Sequence, residues 1–491
     1  MDRRTQAPQG ATEGDSRTQR RLGADPRPAP PPQGGAALIA GKSLALTVGH
    51  FFPDWNDWLD RLPDRRDPEA VVYETRFLGW WGVALYLCQL GSRRQLDYDL
   101  AAHGTFVLDN LNRLAGTEHD TRPVHDTLDY FVEHLRPHGL PGLCTKIARR
   151  LIRMKALDAA RLAGKYVVPI DGTGTLCFHR RHCDHCLVQR HKKTTVYLHN
   201  VLEAKLLGPA GLVVSVASEF IENADAAATS GKGAERVKQD CELKALDRLA
   251  PQLKAALPHT GLVVSGDSLF ACGRVLQLCK ANRWSYVLTF KEGHMPAVWA
   301  DFRGLLKLSP RDRLERTLPD GTRQVYRWAR QLSYVDDQGR RWQFNALQCE
   351  ETSPRGETTL FAWITDLPLT RATVAEVAEK GGRSRWRIEN EGFNRQKNSG
   401  LNLCHVFSTD PEKWKAYYYF LQIAFVLTQL WERGSLLKQL AAELGRTPLQ
   451  LFGSLKNLAR RLLEALRYLW LPEESFDASA ARRLKIHLDT S

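Results

Sequence analysis

Apolar and polar positions repeat with two different periods along the chain, and each period predicts a different kind of structure. From about residue 40 to 165, apolar residues recur at helical spacing, as in 127–132 and 147–154, which predicts amphipathic helices. A short apolar run at 166–170 then predicts a buried strand that leads into a turn at Asp171. The chain therefore begins with helices and changes to a sheet.

Strand-like and helical patterns alternate after this first strand. The expected elements are strands at 194–207 and 212–221 joined by a turn, a helix at about 233–257, a strand at 261–267 that ends in Asp267, a helix at about 270–281 and a strand at 285–290. Three consecutive strands followed by alternating helices and strands predict an α/β fold, a mixed sheet with helices on its faces.

A second strand-rich region interrupts this pattern before helices return at about residue 370. Strands are expected at 325–335, 341–349 and 358–365. The first residues are rich in Pro, Gly, Gln and Arg, a composition that is typical of disorder. The predicted domains are a disordered tail at 1–38, a helical N-terminal domain at 39–165, the first part of the core at 166–295, a β-rich insertion at 296–369, the last helix of the core at 370–410 and a helical C-terminal region at 411–491.

Composition narrows the class of protein. The chain is 43% hydrophobic and 25% charged, and it contains no run of about 18 apolar residues, as a membrane helix needs. Its start lacks the apolar core of a signal peptide, so we expect a cytoplasmic protein without a membrane. The net charge of +14 favours polyanionic partners such as nucleic acids, although a basic enzyme of another kind has the same charge.

Two acidic residues follow apolar strands of the predicted sheet. Asp171 and Asp267 each come at the carboxyl end of a strand, and open sheets with helices bind ligands at that edge. An Asp in this position is also a common turn former or helix N-cap. Two such residues in one sheet of a basic chain indicate a metal site.

A third acid lies on a helix near residue 390. The segment 384–398 is helical by composition, and Arg385, Glu389 and Phe393 share one face, with Lys397 about two turns beyond Glu389. An acid flanked by cations suits a group that binds metal while its neighbours hold phosphates. The alternative is an exposed helix with salt bridges along its face.

This helix carries a family resemblance. The run 385–389, Arg-Trp-Arg-Ile-Glu, resembles the centre of the Tyr-Arg-Glu-Lys signature of DDE transposases from bacterial insertion sequences, and 388–405 is more similar still to one subgroup of that superfamily. The segments that end at Asp171 and Asp267 match the first two acids of the family. The β-rich insertion lies where several members carry one, so the resemblance covers roughly residues 75–470.

The sequence departs from the signature at two positions. Counting from Glu389, the Tyr of the signature corresponds to Gly382 and its Lys to Gln396, one residue before Lys397. Glu391 is an alternative third acid, but the Arg-Trp-x-Ile-Glu register favours Glu389. The two glutamates lie about 200° apart on a helix and cannot both face one site.

The resemblance implies a ribonuclease-H-like core in which Asp171, Asp267 and Glu389 hold two Mg²⁺ or Mn²⁺ ions. One ion would lower the pKa of a water or of a DNA 3′-hydroxyl, and the other would stabilise the leaving oxygen. The implied partner is double-stranded DNA, both the terminal inverted repeats of the mobile element and its target. The helices before residue 166 and those at the C-terminus would read it, and the active complex would contain a homodimer.

Four side chains near the predicted site are candidates for DNA contact. Arg385 and Lys397 lie on the helix of Glu389, and Lys291 follows the strand at 285–290, so all three would reach phosphates. Trp386 would stack against a flipped base. The alternatives are solvated or salt-bridged positions for the three cations and burial under the helix for the tryptophan.

Cysteines and histidines crowd together just after the first Asp. Cys183-x-x-Cys186 is half of a zinc site, because a structural zinc takes four ligands. The other half would come from His179, His182 or His191. The alternative is a hairpin with a reducible pair of thiols and imidazoles on its surface.

Two other functional classes have some support. The run 171–175, Asp-Gly-Thr-Gly-Thr, resembles the loop of phosphoaspartyl enzymes, but 266–271 lacks the second acidic motif that such a phosphohydrolase needs. A non-catalytic DNA-binding protein derived from a transposase is the other class. The presence of all three acids argues against it.

Overall fold

The computed structural model describes residues 35–101, 104–192, 194–223 and 239–488. Most of the tail predicted at 1–38 lies outside these residues. Its last four residues do not belong to a tail, because the first helix, α1, spans Gly35–Phe51 and buries apolar side chains. That helix packs against helices near the C-terminus, which supply the apolar contacts that a tail would lack.

Helices from the two ends of the chain form one body. Ser43 of α1 accepts a buried hydrogen bond of 2.7 Å from the indole of Trp431. No helix in the described ranges is long and apolar enough to cross a membrane. The N-terminal helices are α1, α2 (Trp55–Asp60), α3 (Thr75–Leu87), α4 (Gln95–Asp99), α5 (Val107–Ala115), α6 (His125–His134) and α7 (Gly139–Arg153).

One mixed sheet forms the centre of the protein. Its strands are β1 (Tyr166–Phe178), β2 (Leu187–Arg190), β3 (Thr195–Leu207), β4 (Val213–Ile221), β5 (Leu262–Gly266), β6 (Ser285–Thr289), β7 (Arg313–Thr317), β8 (Arg323–Val335), β9 (Arg341–Thr352) and β10 (Thr358–Thr365). The order across the sheet is β2-β3-β1-β5-β6-β10-β9-β8-β7, and β4 also pairs with β3. The pairs β1–β5 and β5–β6 are parallel, and all the other neighbouring strands are antiparallel. The predicted α/β fold with a mixed sheet is confirmed.

Further helices come between the strands and after them along the chain. They are α8 (Glu242–Ala256), α9 (Gly273–Asn282), α10 (Pro296–Leu308), α11 (residues 374–398), α12 (Pro411–Arg433), α13 (Ser435–Glu443), α14 (Pro448–Phe452), α15 (Leu455–Tyr468) and α16 (Ala478–Arg483). In α11 the backbone is distorted, since Val377–Gly382 and Ile388–Asn394 have π-helical hydrogen bonding. Segments of this kind are frequent at functional sites.

The turn predicted after residue 170 is wrong. β1 continues through Asp171 and the following glycines and threonines to Phe178, because β3 pairs with it as far as Phe178↔Tyr197. A shift of register between Gly174 and Leu176 is the irregularity that these small residues produce. The pairing supplies the backbone with hydrogen-bond partners that a turn would have had to find elsewhere.

The strands of the predicted β-rich insertion extend the central sheet. β10 pairs antiparallel with β6, with Trp363 opposite Thr289, and β9, β8 and β7 follow in turn. The pattern at 313–317 is mostly polar and did not indicate the edge strand β7. The insertion thus lengthens the sheet on the side of β6.

A buried polar network joins β3 to α11 and α12. Glu203 is paired with Asp171 in the register of β1 and β3, and its carboxylate forms a 3.0 Å ion pair with Lys205. Lys205 also donates to Gln422 at 2.8 Å, and Gln396 of α11 donates to the same amide oxygen at 2.7 Å. Glu203 accepts further hydrogen bonds from three buried hydroxyls, those of Ser215, Ser218 and Tyr418.

Removing the cation from this network should destabilise the fold. Lys205→Met leaves the Glu203 carboxylate buried without its counter-charge, which costs about 3–5 kcal/mol. The double variant Glu203→Gln, Lys205→Met removes both charges and should lose less. Urea unfolding followed by fluorescence measures the difference.

The matched control is Lys42→Met, which breaks an ion pair with Glu474 on the surface. A surface pair contributes about 0–1 kcal/mol. Equal losses of stability for the Lys205 and Lys42 variants would contradict the role of the network.

Candidate functional site

The sheet brings the two predicted aspartates side by side. β1 and β5 pair in parallel up to Pro169↔Ser265, and Asp171 and Asp267 each lie two residues beyond that last pair. Equal offsets from a parallel pair bring the two residues to the same edge of the sheet, level with each other. Asp171 is inside β1 and not after its end, but both acids lie where the parallel pairing stops. Asp267 also caps the turn after β5, accepting 2.8 Å from the backbone N–H of Leu269.

Helix α11 delivers the third acid to the same place. One nitrogen of the buried Arg385 guanidinium lies 3.1 Å from Oδ2 of Asp171 and 2.7 Å from Oε1 of Glu389. Glu389 is half-buried, with 39% of its side chain exposed. The guanidinium therefore holds two of the three predicted carboxylates together.

Two glycines allow α11 to lie close to the sheet. The hydroxyl of Ser265 on β5 donates to the carbonyl oxygen of Gly381 at 2.7 Å. A Cβ on Gly381 would lie 2.6 Å from Val287, and one on Gly382 would lie 2.3 Å from the ring of Trp363. At the position where the family signature has Tyr, this chain has no room for any side chain.

The alternative acid Glu391 faces away from the aspartates. Its carboxylate lies 3.4 Å from Arg433 and packs near Gly211, in the turn between β3 and β4. Arg387, four residues before Glu391, donates to the backbone of Gly208 in that turn at 2.7 Å. The opposite orientation of Glu389 and Glu391 agrees with the prediction from helical geometry.

A fourth carboxylate, which the sequence analysis did not include, belongs to the site. Glu242 is the first residue of α8, and its Oε1 would be 2.1 Å from a Cβ on Gly172. The sequence pattern predicted only that this residue lies in a helix at about 233–257. The sequence feature that could have indicated a further group at the site is Gly172, directly after Asp171. A glycine next to an acid has no side chain and leaves space for another group.

Burial and mutual repulsion change the acidity of this cluster. Burial raises the pKa of Asp171 to about 7, with Arg385 opposing the rise and with Glu389 and Glu242 adding to it. Burial also raises the pKa of Glu242, and the charge of Asp267 raises it further. Electrostatic interactions thus link the four acids. Glu389 and Glu242 both act on Asp171, and Asp267 acts on Glu242. The guanidinium of Arg385 lies between Asp171 and Glu389.

The predicted DNA contacts have different environments. Lys291 is exposed just after β6, and Trp386 is 51% exposed on α11. Lys397 is half-buried, and Arg385 is buried between carboxylates and does not face solvent. Gln396, at the Lys position of the signature, is fully buried in the network with Gln422.

The cysteine and histidine residues form a separate cluster. Cys183 and Cys186 lie with His182 and His199, and the four potential ligand atoms are all within 4.8 Å of one another. His179 and His191, which were also considered as partners, are exposed and outside this group. His199 was missed because it comes from β3, and only the pairing of β3 with β1 and β2 brings it to the loop.

Comparison with known proteins gives no further indication of function. No known family matches the chain, and no curated protein is similar to it at a significant level. The residues of the site are therefore the basis for any assignment.

Neutralising the fourth carboxylate should stabilise the metal-free protein. In Glu242→Gln one negative charge is lost from a site with more negative than positive groups, so the melting temperature should rise by about 1–2 °C. Addition of Mn²⁺ should stabilise this variant less than the parent protein. Differential scanning fluorimetry with and without MnCl₂ measures both effects.

The control is Glu443→Gln, which makes the same change of charge at an exposed position of α13. It should leave both melting temperatures unchanged. A lower melting temperature for Glu242→Gln, together with an unaltered response to Mn²⁺, would exclude Glu242 from the site.

Proposed function

We propose that this chain is a DNA transposase that uses Asp171, Asp267 and Glu389 to cut and join DNA strands with divalent metal ions. The observation that carries the proposal is the convergence of these acids at one edge of the sheet. They come from three elements that are far apart in sequence, and Arg385 bridges two of them.

The topology supports a ribonuclease-H-like core, the finer form of the observed α/β fold. β4, β3 and β1 are consecutive antiparallel strands, and β5 and β6 follow in parallel on the other side of β1. The third acid then arrives on a helix after an insertion, as the resemblance to DDE transposases implies. In such a core Asp171, Asp267 and Glu389 would be the metal ligands, as the resemblance implies.

The donor set fits Mg²⁺ or Mn²⁺. Carboxylate oxygens are the hard ligands that these ions prefer, and Asp171, Asp267 and Glu389 would hold two ions with Glu242 close by. The site already accommodates positive charge, since Arg385 lies between two of the acids. When bound, the ions would supply activation of the attacking hydroxyl and stabilisation of the leaving oxygen in an in-line displacement.

The residues of the chain supply position and charge. Arg385 keeps Asp171 and Glu389 together while their charges repel, and the hydrogen bond from Ser265 to Gly381 fixes α11 on the sheet. Lys291 and Trp386 are exposed and are candidates for contact with a phosphate and a base. The net charge of +14 favours association with a polyanion.

The implied partners are the terminal inverted repeats of a mobile element and a target duplex, bound by a homodimer. The two other classes gain no support from the geometry. Asp171 lies inside a paired strand and not in an open loop, unlike the nucleophile expected of a phosphoaspartyl phosphohydrolase. A non-catalytic DNA-binding protein would have no use for four converging carboxylates.

The proposal predicts separate effects on chemistry and on DNA binding. Asp267→Asn or Glu389→Gln should lower Mg²⁺-dependent cleavage of DNA that carries the ends of the element by more than about 100-fold, because the loss of a metal ligand costs several kcal/mol. Binding of the same DNA should change little. A gel assay of strand cleavage and an electrophoretic mobility shift measure the two quantities.

The matched control is Glu391→Gln, which changes a glutamate two residues away that pairs with Arg433. It should retain most of the cleavage activity. Full activity of Asp267→Asn and Glu389→Gln would overturn the proposal, as would a trapped phosphoenzyme on Asp171. No metal-dependent cleavage by the parent protein would favour the non-catalytic alternative.

A further inference from the structure

A compact group of two histidines and two cysteines lies at the far end of β1 and β3 from the aspartates. His182, Cys183 and Cys186 come from the loop between β1 and β2, and His199 comes from β3, opposite Leu176. Leu176 is five residues beyond Asp171, so the group lies about 16 Å along the strand from that acid. We propose that these four side chains form a structural zinc site.

Four of the six separations between the ligand atoms are close to those of a tetrahedral site. The two sulfurs are 3.4 Å apart, Nε2 of His199 lies 3.3 Å from Sγ of Cys183 and 3.5 Å from Sγ of Cys186, and Nδ1 of His182 lies 3.4 Å from Sγ of Cys186. Zinc bonds of about 2.3 Å to sulfur and 2.0–2.1 Å to nitrogen give tetrahedral edges of about 3.5–3.8 Å. These four separations differ from the tetrahedral edges by a few tenths of an ångström, and all the ligand atoms lie within 4.8 Å of one another.

The surroundings orient the ligands as metal sites require. His199 is fully buried, and its other ring nitrogen, Nδ1, lies 3.3 Å from the carboxylate of Glu222. Glu222 is held in turn by Lys415 of α12 at 2.9 Å. A carboxylate behind a ligating histidine fixes the ring and its tautomer, and such partners are common around zinc.

All four positions around the ion would be filled by protein. A set of two cysteines and two histidines is a usual set for structural zinc, and it leaves no open position for water or substrate. Thiolate sulfur also distinguishes this site from the carboxylate edge, because soft ligands select zinc and not Mg²⁺. The zinc would therefore contribute to folding and not to strand chemistry.

The loop that the zinc would fix and strand β2 after it also form hydrogen bonds to Asn223, just after β4, and to Gln239, just before α8. Nδ1 of His185 lies 3.0 Å from the carbonyl oxygen of Asn223, whose amide donates to the carbonyl oxygen of Cys186 at 2.9 Å. The side chain of Gln239 accepts from the backbone N–H of Val188 at 2.7 Å and donates to its carbonyl oxygen at 2.9 Å. The chain just after β4 is thus attached to the loop, and the chain just before α8 is attached to β2, which follows that loop directly.

This attachment connects the zinc site to the carboxylates. Glu242 begins α8 three residues after Gln239, so the position of Gln239 sets where Glu242 enters the acidic site. Zinc at the loop would keep α8 in place at its first turn. The zinc site does not depend on the proposed function, because its metal can be measured without DNA.

The first experiment measures metal content. Full-length protein, purified and dialysed against a weak chelator, should contain about one zinc per chain by multi-element mass spectrometry. The double variant Cys183→Ser, Cys186→Ser should lose nearly all of it. The control Cys177→Ser changes an exposed cysteine of β1 outside the group and should keep it.

Cobalt substitution tests the ligands in the folded protein. Co²⁺ in place of zinc should give the visible bands of a tetrahedral ion and a thiolate charge-transfer band, which are lost in the double variant and in His199→Gln but kept in Cys177→Ser. Parent protein with no zinc, with iron in its place, or with a Cys183–Cys186 disulfide would overturn the proposal. Retention of full zinc by the double variant would also overturn it.

Hydrogen exchange tests the connection to α8. Removal of zinc by a strong chelator should increase amide exchange at least about tenfold in peptides covering 182–190 and 239–250. Peptides from β8 and β9 should be unaffected, because these strands lie near the opposite edge of the sheet from β2 and β3. Unchanged exchange at 239–250 after complete loss of zinc would contradict the attachment.

Discussion

Four carboxylates meet in one partly buried site, and the buried guanidinium of Arg385 pairs with two of them, Asp171 and Glu389. This electrostatic constraint governs the rest of the site. Like charges at close range in a partly buried place are costly, and the cost is visible in the raised pKa values of Asp171 and Glu242. Folding alone gains little from such an arrangement, since apolar residues in the same place would be more stable. The divalent metal ions of the proposed function would supply the counter-charge that this group of acids lacks.

The fold keeps the acids in place from several sides. The parallel register of β1 and β5 sets Asp171 level with Asp267, and the glycine pair of α11 lets that helix lie against β6 and β10. Behind the site, Lys205 connects β3 to α11 and α12 through the paired amides of Gln396 and Gln422. Rigid elements, and not loops, therefore carry most of the acidic side chains, which favours the precise geometry that phosphoryl chemistry needs.

Local patterns in the sequence were sufficient for most of the sheet and for selecting Asp171 and Asp267, and the resemblance was needed to select Glu389. Apolar runs predicted β1, β5 and β6, and helical spacing predicted the orientation of Glu389 relative to Glu391. The patterns failed where distant strands decide the outcome. Residues 171–175 have the composition of a turn, but β3 pairs with them and extends β1. His199 and Glu242 join their sites only through tertiary contacts, so no spacing along the chain could identify them. The buried position of Arg385 likewise follows from packing and not from its place in a charged helix.

The location of bound divalent ions tests the central claim most directly. Crystals of the protein soaked in MnCl₂ can be measured at a wavelength where manganese scatters anomalously. The account predicts anomalous peaks in direct contact with the carboxylates of Asp171 and Asp267 and next to Glu389. Peaks only at other places, with Arg385 still bridging Asp171 and Glu389 and no ion beside them, would contradict it.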